Sequence, residues 1–356
     1  MSEKILVKGN EAFGEAAIRA GCRYYFGYPI TPQNELIEYM SRRLPEVGGK
    51  FLQAESEVSV VNMLYGASCM GVRVMTSTSS PGFSLMQEGV SYIAGAELPA
   101  VFINVVRGGP GLGDIQPAQG DYLQATKGGG HGDYRLIVLG PSTIQEAIKL
   151  VILAFDLADK YRTPVEILAD GMIGQMMEPV ELPEMRPLDA LPKKPWALTG
   201  AKGRKPNKIT SFDLDPYNLE KMNLRYQATR EKIITNEQRC EEVNIEGADI
   251  LVVAYGTVGR IMKTVIELAE EKSMKVGLFR PITLWPFPYK QLEEISKKVS
   301  TVLTVELSGG QMLEDVKLAV KDNANTPFYG RMGGVIPTPE EILGQIEKLV
   351  KKRREV

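Results

Sequence analysis

The stretch VRVMTSTSSPGFSLMQEGVSYIAGAELPAVFINVV, residues 72–106, decides the fold of this chain. Residues 72–78 predict a strand, and residues 81–94 predict a helix that begins with proline, which is tolerated in a first helical turn. Residues 99–106 are almost entirely apolar, as expected for a strand that is covered on both faces. A strand, a helix and a second strand in this order predict a βαβ unit and therefore a parallel sheet.

The same alternation extends over the first 170 residues. Further strands are predicted at residues 23–28, 50–54, 135–139 and 165–169, of which the last ends this half of the chain. Further helices are predicted at residues 11–20, 33–43, 57–70 and 144–161, and the last of these follows a Ser-Thr cap. The pattern predicts a doubly wound parallel α/β sheet, to which we assign residues 1–178.

A change of composition separates this half from the rest. Residues 179–246 are rich in Pro, Lys and Asp and predict a linker or crossover arm, with helical turns near residues 219–244. Residues 247–356 predict a second α/β domain. Its strands are expected at residues 250–256, 275–279 and 301–306, and its helices at residues 258–272, 289–299, 312–320 and 339–354.

The composition excludes several classes of function. The chain is 44% hydrophobic and 24% charged, which is typical of a soluble globular protein. Its formal net charge of -2 lacks the basic excess of a nucleic-acid-binding protein. No apolar run is long enough to span a membrane, and the N-terminus has no signal-peptide core, so we expect a cytoplasmic location.

The cysteines and the single histidine also restrict the chemistry. Cys22, Cys69 and Cys240 are far apart and form no CxxC pair, which argues against an iron–sulfur cluster or a zinc site held by this chain alone. We expect Cys22 and Cys69 to be buried and inert. His131 lies in a glycine-rich loop, where a solvated residue is more common than a catalyst.

Polar residues follow four of the strands predicted in the first half. They are Thr31 after the first strand, Glu55 and Glu57 after the second, the run Ser79-Ser80-Pro81-Gly82 after the third, and Arg107 after the fourth. Arg107 also opens a glycine-rich loop of about 25 residues, longer than an ordinary connection. Each has a simpler structural explanation, such as a helix cap or a surface charge. Because parallel sheets bind ligands at their carboxyl edge, the four together predict a site.

Nucleotide-binding motifs are missing from this edge. The chain has no GxxxxGK[ST] motif, no GxGxxG after a strand, and no Asp-Gly-Asn pattern for a magnesium diphosphate, although Asp170-Gly171 comes close. The edge therefore carries groups that orient a ligand, without groups that hold phosphates. This combination predicts one half of a composite site.

Four stretches resemble one known family. They are YPITP at residues 28–32, QAESE at 53–57, TSTSSPGFSLMQE at 76–88 and RPITLWPFP at 280–288. Together they resemble the α subunit of the 2-oxoacid:ferredoxin oxidoreductases, which are thiamine diphosphate enzymes, and the resemblance is nearest to the branched-chain 2-oxoisovalerate type. It implies a pyrimidine-binding domain of the thiamine-diphosphate fold followed by a domain like the C-terminal domain of transketolase.

The resemblance also implies roles for single residues. Glu57 matches the glutamate that hydrogen-bonds N1′ of the aminopyrimidine, with Glu55 as the rival, and it thereby helps the 4′-nitrogen to take a proton from the thiazolium ring. Thr31 and Arg107 match residues that contact the carboxylate and carbonyl of the substrate. Tyr28 either lines the pocket or packs in the core.

Two further positions complete the implied site. Gly82 and Phe83 match residues that bind the cofactor. Residues 280–288 lie near the path of coenzyme A or only form the turn into a helix, and we favour the structural explanation.

The implied enzyme is a complex. A separate β subunit would hold the diphosphate and Mg²⁺, iron–sulfur clusters would lie on the β subunit and on a small ferredoxin-like subunit, and a γ subunit would complete a dimer of hetero-oligomers. The implied reaction converts a 2-oxoacid, coenzyme A and oxidised external ferredoxin into acyl-CoA, CO₂ and reduced ferredoxin. The alternatives are a non-catalytic assembly subunit and a transketolase-like carboligating thiamine enzyme.

Overall fold

The computed structural model describes residues 4–354 and the side chains of residues 4–351. The strands are β1 Ile5–Lys8, β2 Tyr24–Gly27, β3 Lys50–Gln53, β4 Val74–Thr78, β5 Ala100–Val106, β6 Ile137–Leu139, β7 Pro164–Asp170, β8 Met177–Val180, β9 Cys240–Val243, β10 Ile250–Val253, β11 Val276–Pro281, β12 Thr283–Trp285, β13 Val302–Glu306 and β14 Phe328–Gly330. The helices are α1 Gly9–Arg19, α2 Asn34–Glu46, α3 Glu57–Cys69, α4 Pro81–Gly95, α5 Tyr122–Lys127, α6 Ile144–Tyr161, α7 Gly171–Gln175, α8 Pro216–Asn236, α9 Gly256–Glu271, α10 Tyr289–Ser296, α11 Gln311–Val320 and α12 Pro339–Arg354.

A seven-stranded sheet organises the first half of the chain. Its strand order is β12-β6-β7-β5-β4-β2-β3, and every neighbouring pair is parallel except β12 with β6. Strands β4, β5 and β7 are buried along their whole length, as the apolar sequence of β5 predicts for that strand. The predicted doubly wound α/β sheet is therefore confirmed, with one antiparallel strand at its edge. The strands β3, β2, β4 and β5 are neighbours, so their carboxyl ends lie side by side.

A five-stranded sheet organises the second half. Its order is β14-β13-β10-β11-β9, with β9 antiparallel to β11. Ile250 and Val252 on one face pack in an apolar cluster with α9 and α12. Leu251 and Val253 on the other face belong to the apolar core that also contains the first sheet. This continuous core fixes the two sheets relative to each other.

The prediction that residues 165–169 form the last strand of the first half was wrong. Strand β8 follows and pairs with β1 in a separate antiparallel ribbon. Strand β12, from far along the chain, extends the seven-stranded sheet beside β6. These strands are only three or four residues long and their partners are distant in sequence, so their hydrogen-bonded neighbours decide their conformation rather than a local pattern.

The segment predicted as a linker contains regular structure. Helix α8 begins at Pro216, and the carboxylate of Asp215 accepts a hydrogen bond of 2.9 Å from the N–H of Tyr217. Ile233 is the one residue of this helix that is buried, which explains why the sequence shows little helical periodicity. Strand β9 then completes the second sheet. In the described part of the chain, no helix combines the length and the apolar character needed to cross a bilayer.

Candidate functional site

Arg107 and Thr31 meet at the carboxyl edge of the first sheet. Arg107 follows β5 and is 8% exposed. Its Nη1 donates to the backbone carbonyl of Thr31 at 2.9 Å, and its Nη2 donates to the carbonyl of Leu112 at 3.0 Å. Its Nε is buried and has no partner among the described residues. The guanidinium is therefore held at one side, while a donor is left over for a ligand.

The turn that carries Thr31 is held from several directions. The carbonyl of Pro32 accepts hydrogen bonds from Asn10 Nδ2 at 2.8 Å and from Gln175 Nε2 at 2.7 Å. Gln33 is fully buried, and its Oε1 accepts from the hydroxyl of Ser77 at 2.6 Å. The prolines also restrict the backbone on both sides of the threonine. The Thr31 hydroxyl makes a single contact, in which Oγ1 accepts from Asn34 Nδ2 at 3.4 Å, so its own proton remains available.

Ser80 links the ends of β4 and β5. It has a φ of 25°, which is uncommon for a residue with a side chain. Its N–H donates to Asn104 Oδ1 at 2.9 Å, and its hydroxyl accepts from the N–H of Arg107 at 3.1 Å. These bonds hold the serine in a strained conformation beside the arginine, as is common near functional sites.

Glu57 is buried at the first position of helix α3 and is 4% exposed. A Cβ atom added to Gly82 would lie 2.5 Å from Glu57 Oε1 and even closer to Thr78 Oγ1. The carboxylate and this hydroxyl therefore lie against the bare backbone of Gly82, where no larger residue fits. The hydroxyls of Thr78 and Ser79 are buried and have no partner among the described residues. Unpaired buried polar groups beside a buried carboxylate indicate a missing polar ligand.

The structure separates Glu57 from its rival. Glu55 is exposed, and its carboxylate accepts a hydrogen bond from the Ser59 hydroxyl, which lowers its pKa. Of the two glutamates, Glu57 is therefore the one that is buried at this edge.

The remaining predicted residues lie at different depths. Tyr28 is half-buried and packs against the core. Phe83 is fully buried, with its ring edge-on to that of Phe102 and the ring centroids 5.9 Å apart. His131 is exposed in its loop. Cys22 and Cys69 are buried, as predicted, and burial raises the pKa of both thiols. Among residues 4–351, no three side chains of His, Cys, Asp or Glu are grouped so that they could hold a metal ion.

A cleft of about 500 Å³ opens beside Arg107. One wall consists of residues 107–111 and of Ser80, and the other consists of residues 307–309 and 332–333 of the second half. The sequence analysis missed this second wall. The pattern that could have predicted this wall is the Ser-Gly-Gly-Gln run at residues 308–311, which follows a buried strand.

Gln119 joins the two walls. It is 1% exposed, and its Nε2 donates to the carbonyl of Tyr255 at 3.0 Å. Its Oε1 accepts from the N–H of Leu307 at 2.9 Å, and its own N–H donates to the Leu307 carbonyl at 2.9 Å. The second half thus clamps the loop that begins at Arg107.

Residues 280–288 lie elsewhere. Arg280 is 4% exposed and forms ion pairs of 2.7 Å with Glu146 and 2.6 Å with Glu241. The segment then continues into β12 of the first sheet. These contacts join the two halves, in agreement with the structural explanation that the sequence favoured.

Two acids beneath the site were also missed, the fully buried Glu166 and the half-buried Asp121. Asn104 Nδ2 donates to Asp121 Oδ2 at 3.1 Å and to Glu166 Oε1 at 3.4 Å. Burial raises the pKa of Glu166 well above its ordinary value, and burial raises the pKa of Asp121 against hydrogen bonds from Ser80 and Asn104. The single Asn within the apolar run of β5 was the available signal for this network.

Comparisons with known proteins match both halves of the chain. Residues 15–245 match the family described as pyruvate flavodoxin/ferredoxin oxidoreductase, thiamine diP-bdg, and residues 248–342 match pyruvate:ferredoxin oxidoreductase core domain II. The ketoisovalerate oxidoreductase subunit VorB of Methanothermobacter marburgensis is 48% identical over 344 residues, which cover 97% of each chain. The 2-oxoglutarate synthase subunit KorA of Methanothermobacter thermautotrophicus is 35% identical, over 98% of this chain and 100% of its own.

Comparison with solved structures supports the same fold. A 2-oxoglutarate:ferredoxin oxidoreductase from Magnetococcus marinus, with 2-oxoglutarate, coenzyme A and succinyl-CoA bound, superposes with a TM-score of 0.87 at 27% identity. The match covers 98% of this chain and 66% of that chain. A split-gene transketolase, an inactive β4 tetramer, has a TM-score of 0.61 at 14% identity and supports the fold alone. The chain therefore belongs to the 2-oxoacid:ferredoxin oxidoreductase family and is a subunit of a multi-subunit enzyme of this thiamine diphosphate-dependent kind.

Proposed function

We propose that this chain supplies the cofactor-activating carboxylate and the substrate-orienting cation of an enzyme that oxidatively decarboxylates a branched-chain 2-oxoacid of the 2-oxoisovalerate type. The observation that carries the proposal is the convergence of Glu57, Thr31 and Arg107 at neighbouring strand ends. The substrate class is supported by the 48% identity to a protein named as a ketoisovalerate oxidoreductase subunit. 2-Oxoglutarate and pyruvate are the alternative substrates.

The residues around Glu57 fit the aminopyrimidine half of thiamine diphosphate. The hydroxyls of Thr78 and Ser79 have no partner among the described residues and can hydrogen-bond a polar ring. Gly82 has no side chain, so a flat ring can approach its backbone closely. Glu57 would share a proton with the ring nitrogen N1′. When bound, the cofactor supplies the carbon nucleophile and the electron sink of the reaction. The proposed contact of Phe83 is limited to its backbone and to support of this turn, because its ring is fully buried.

Arg107 and Thr31 would bind the 2-oxoacid. The unused Nε of Arg107 can donate to the substrate carboxylate, and the Thr31 hydroxyl can donate to the carboxylate or the carbonyl. Because that carboxylate leaves as CO₂, the arginine must orient it without holding it tightly. Tyr28, half-buried at the same turn, would line the pocket.

The family to which the chain belongs supports the proposed partners. A β subunit would bring the diphosphate site, Mg²⁺ and iron–sulfur clusters, a ferredoxin-like subunit would carry further clusters, and a γ subunit would complete a dimer of hetero-oligomers that reduces external ferredoxin. We retain the division into a pyrimidine-binding domain at 1–178, an arm at 179–246 and a transketolase-like domain at 247–356. The free thiols of Cys22, Cys69 and Cys240 accord with a reducing cytoplasm.

The experiment that tests this function is an assay of the complex co-purified with the chain. Reduction of a viologen dye should require coenzyme A and a 2-oxoacid, and 2-oxoisovalerate should give a higher kcat/KM than pyruvate or 2-oxoglutarate. A preference for either other acid would replace the proposed substrate class. A colourless preparation that acts on these acids without partners would favour the carboligating alternative, and an assembled complex with an unchanged rate in Glu57→Gln would favour an assembly role.

A further inference from the structure

A second cavity, lined by apolar as well as charged side chains, lies at the opposite edge of the first sheet from the candidate site. Its lining includes Arg135, Thr163 and Glu97, which precede β6, β7 and β5 at their amino ends. Helix α8 of the arm closes it with Thr229 and Arg230. The cavity holds about 40 Å³, enough for a small ion and not for a cofactor.

Positive charge dominates this cavity. The charged residues that line it are Arg135, Arg162, Arg230, Glu97 and Asp133. The Glu97 carboxylate is already engaged by Arg225, at 2.7 and 3.1 Å, and Asp133 is exposed. In the described part of the chain, none of the three lining arginines has a carboxylate within 4.0 Å.

Two other buried arginines of this chain are paired with carboxylates, whereas the buried Arg107 is the residue proposed above to bind the carboxylate of the substrate. Arg73 is 3% exposed and is paired with Asp156 at 2.7 Å and Asp159 at 2.9 Å. Arg280 is paired with two glutamates. Because an unpaired charge is costly to remove from water, half-buried arginines without a carboxylate call for another anion.

The donors of two of these arginines are largely unused. The Nε of Arg230 is buried and has no partner among the residues that the structure describes, and its Nη1 lies 3.3 Å from Gln227 Oε1. Arg135 donates from Nη1 to the carbonyl of Tyr134 at 2.9 Å. Burial and the neighbouring Arg230 lower the pKa of Arg135, and the nearby Asp133 opposes this shift. Arg162 is placed differently, because its Nε bonds the Glu97 carbonyl and its guanidinium lies 4.6 Å from the Trp196 ring centroid.

We propose that Arg135 and Arg230 bind a small oxyanion of the phosphate class, with Arg162 adding a third positive charge, and that this ion ties the arm helix to the amino edge of the first sheet. Guanidinium groups offer paired N–H donors that match the oxygens of such an ion. The site is independent of the chemistry proposed for Glu57 and Arg107, because it lies at the other end of the strands.

Thermal unfolding of the full 356-residue chain tests the proposal, with phosphate compared with chloride at equal ionic strength and pH. Binding to the folded state should raise the unfolding midpoint saturably, by about 2 °C when phosphate is about tenfold above its dissociation constant. Arg135→Gln and Arg230→Gln should abolish this rise. Lys221→Gln, which removes one exposed charge from the same helix, should keep it.

The variants also predict behaviour without phosphate. In chloride alone, Arg230→Gln should have a midpoint equal to or above that of the natural chain, since it removes a repulsion. Circular dichroism confirms that each variant is folded. Equal midpoints in phosphate and chloride would overturn the proposal, as would an undiminished phosphate effect in both arginine variants. A lower midpoint for Arg230→Gln in chloride would also overturn it, because it would show that groups of the protein already compensate the charge of Arg230, beyond its contact with Gln227.

Discussion

The guanidinium of Arg107 donates a hydrogen bond of 2.9 Å to the backbone carbonyl of Thr31. The two residues follow strands β5 and β2, which are separated by β4, and they are the two side chains proposed to bind the 2-oxoacid. The bond occupies the backbone carbonyl of Thr31 and Nη1 of Arg107, so the Thr31 hydroxyl and Arg107 Nε remain available to a ligand. This one hydrogen bond therefore fixes the spacing of the two residues that are proposed to bind the substrate.

Arg107→Lys should lower kcat/KM for the 2-oxoacid by about 10- to 100-fold. Lysine keeps the positive charge but lacks the planar guanidinium group, which can donate to Thr31, Leu112 and a ligand at the same time. A hydrogen bond to a charged group contributes about 1.5–3 kcal/mol. The viologen assay measures the change at varied 2-oxoacid concentration. Arg186→Lys, at an ion pair with Asp156 outside the cleft, is the control. An unchanged kcat/KM in Arg107→Lys would remove Arg107 from the substrate site.

Thr31→Ala should impair use of the 2-oxoacid without unfolding the turn. The hydroxyl makes one long contact, whereas the backbone carbonyl that binds Arg107 is kept. We expect a loss of about 10-fold in kcat/KM, recovery in Thr31→Ser, and an unfolding midpoint within about 2 °C of the natural chain. A large fall of the midpoint, or no recovery with serine, would mean that Thr31 serves the turn alone.

Glu57→Gln should lower kcat by about 10²- to 10⁴-fold, because glutamine cannot exchange a proton with the cofactor ring. Glu55→Gln is the matched control, since Glu55 stands two residues earlier, is exposed and bonds only its neighbour Ser59. Single-turnover kinetics of the co-purified complex measure both variants, and gel filtration shows that both assemble. Loss of turnover in Glu55→Gln, with normal turnover in Glu57→Gln, would reverse the assignment.

The sequence was sufficient for those parts of the fold that local patterns determine. The buried runs of β5 and β7 and the capped helix α6 were placed almost to the residue, because burial on both faces and a side-chain cap leave clear signals. The convergence of the strand ends also followed from the parallel alternation. It brought Thr31, Glu57, Gly82 and Arg107 to one edge, as the structure shows.

The rest depended on contacts between distant segments. Strand β12 has three residues and joins the first sheet only because the second half packs there. The second wall of the cleft and the clamp at Gln119 arise in the same way, from the continuous core that both sheets share. No local pattern in residues 307–311 specifies which loop they will face.

Glu166→Gln should stabilise the chain at neutral pH and reduce the dependence of its stability on pH. Glu166 is fully buried, its Oε2 has no partner among the described residues, and its pKa is raised because burial outweighs the bond from Asn104. Above about pH 4.3 the unfolded state releases this proton while the folded state keeps it, so the free energy of unfolding falls as pH rises toward the folded-state pKa. Glutamine mimics the protonated form throughout.

Unfolding midpoints between pH 5 and pH 8 test this prediction. The midpoint of Glu166→Gln should exceed that of the natural chain by more at pH 8 than at pH 5. The exposed Glu55→Gln should follow the natural curve. A lower midpoint for Glu166→Gln across the range would mean that the carboxylate is ionised and stabilising in the folded chain.

Gln119→Ala should reduce both stability and affinity for the 2-oxoacid, because Gln119 clamps the loop that positions Arg107. The substitution leaves the N–H of Leu307 buried without a partner, at a cost of about 1–3 kcal/mol, and reduces the carbonyl of Tyr255 to its bond from the N–H of Gly259. We expect a midpoint lower by several degrees and a KM for the 2-oxoacid raised by about 10-fold, whereas kcat should change less. Thr283→Val is the matched control: Thr283 is fully buried and accepts a 2.8 Å bond from Arg239, away from the cleft. Both variants should lose stability, but only Gln119→Ala should raise KM. An equal KM in the two would show that the junction holds the halves together without positioning Arg107.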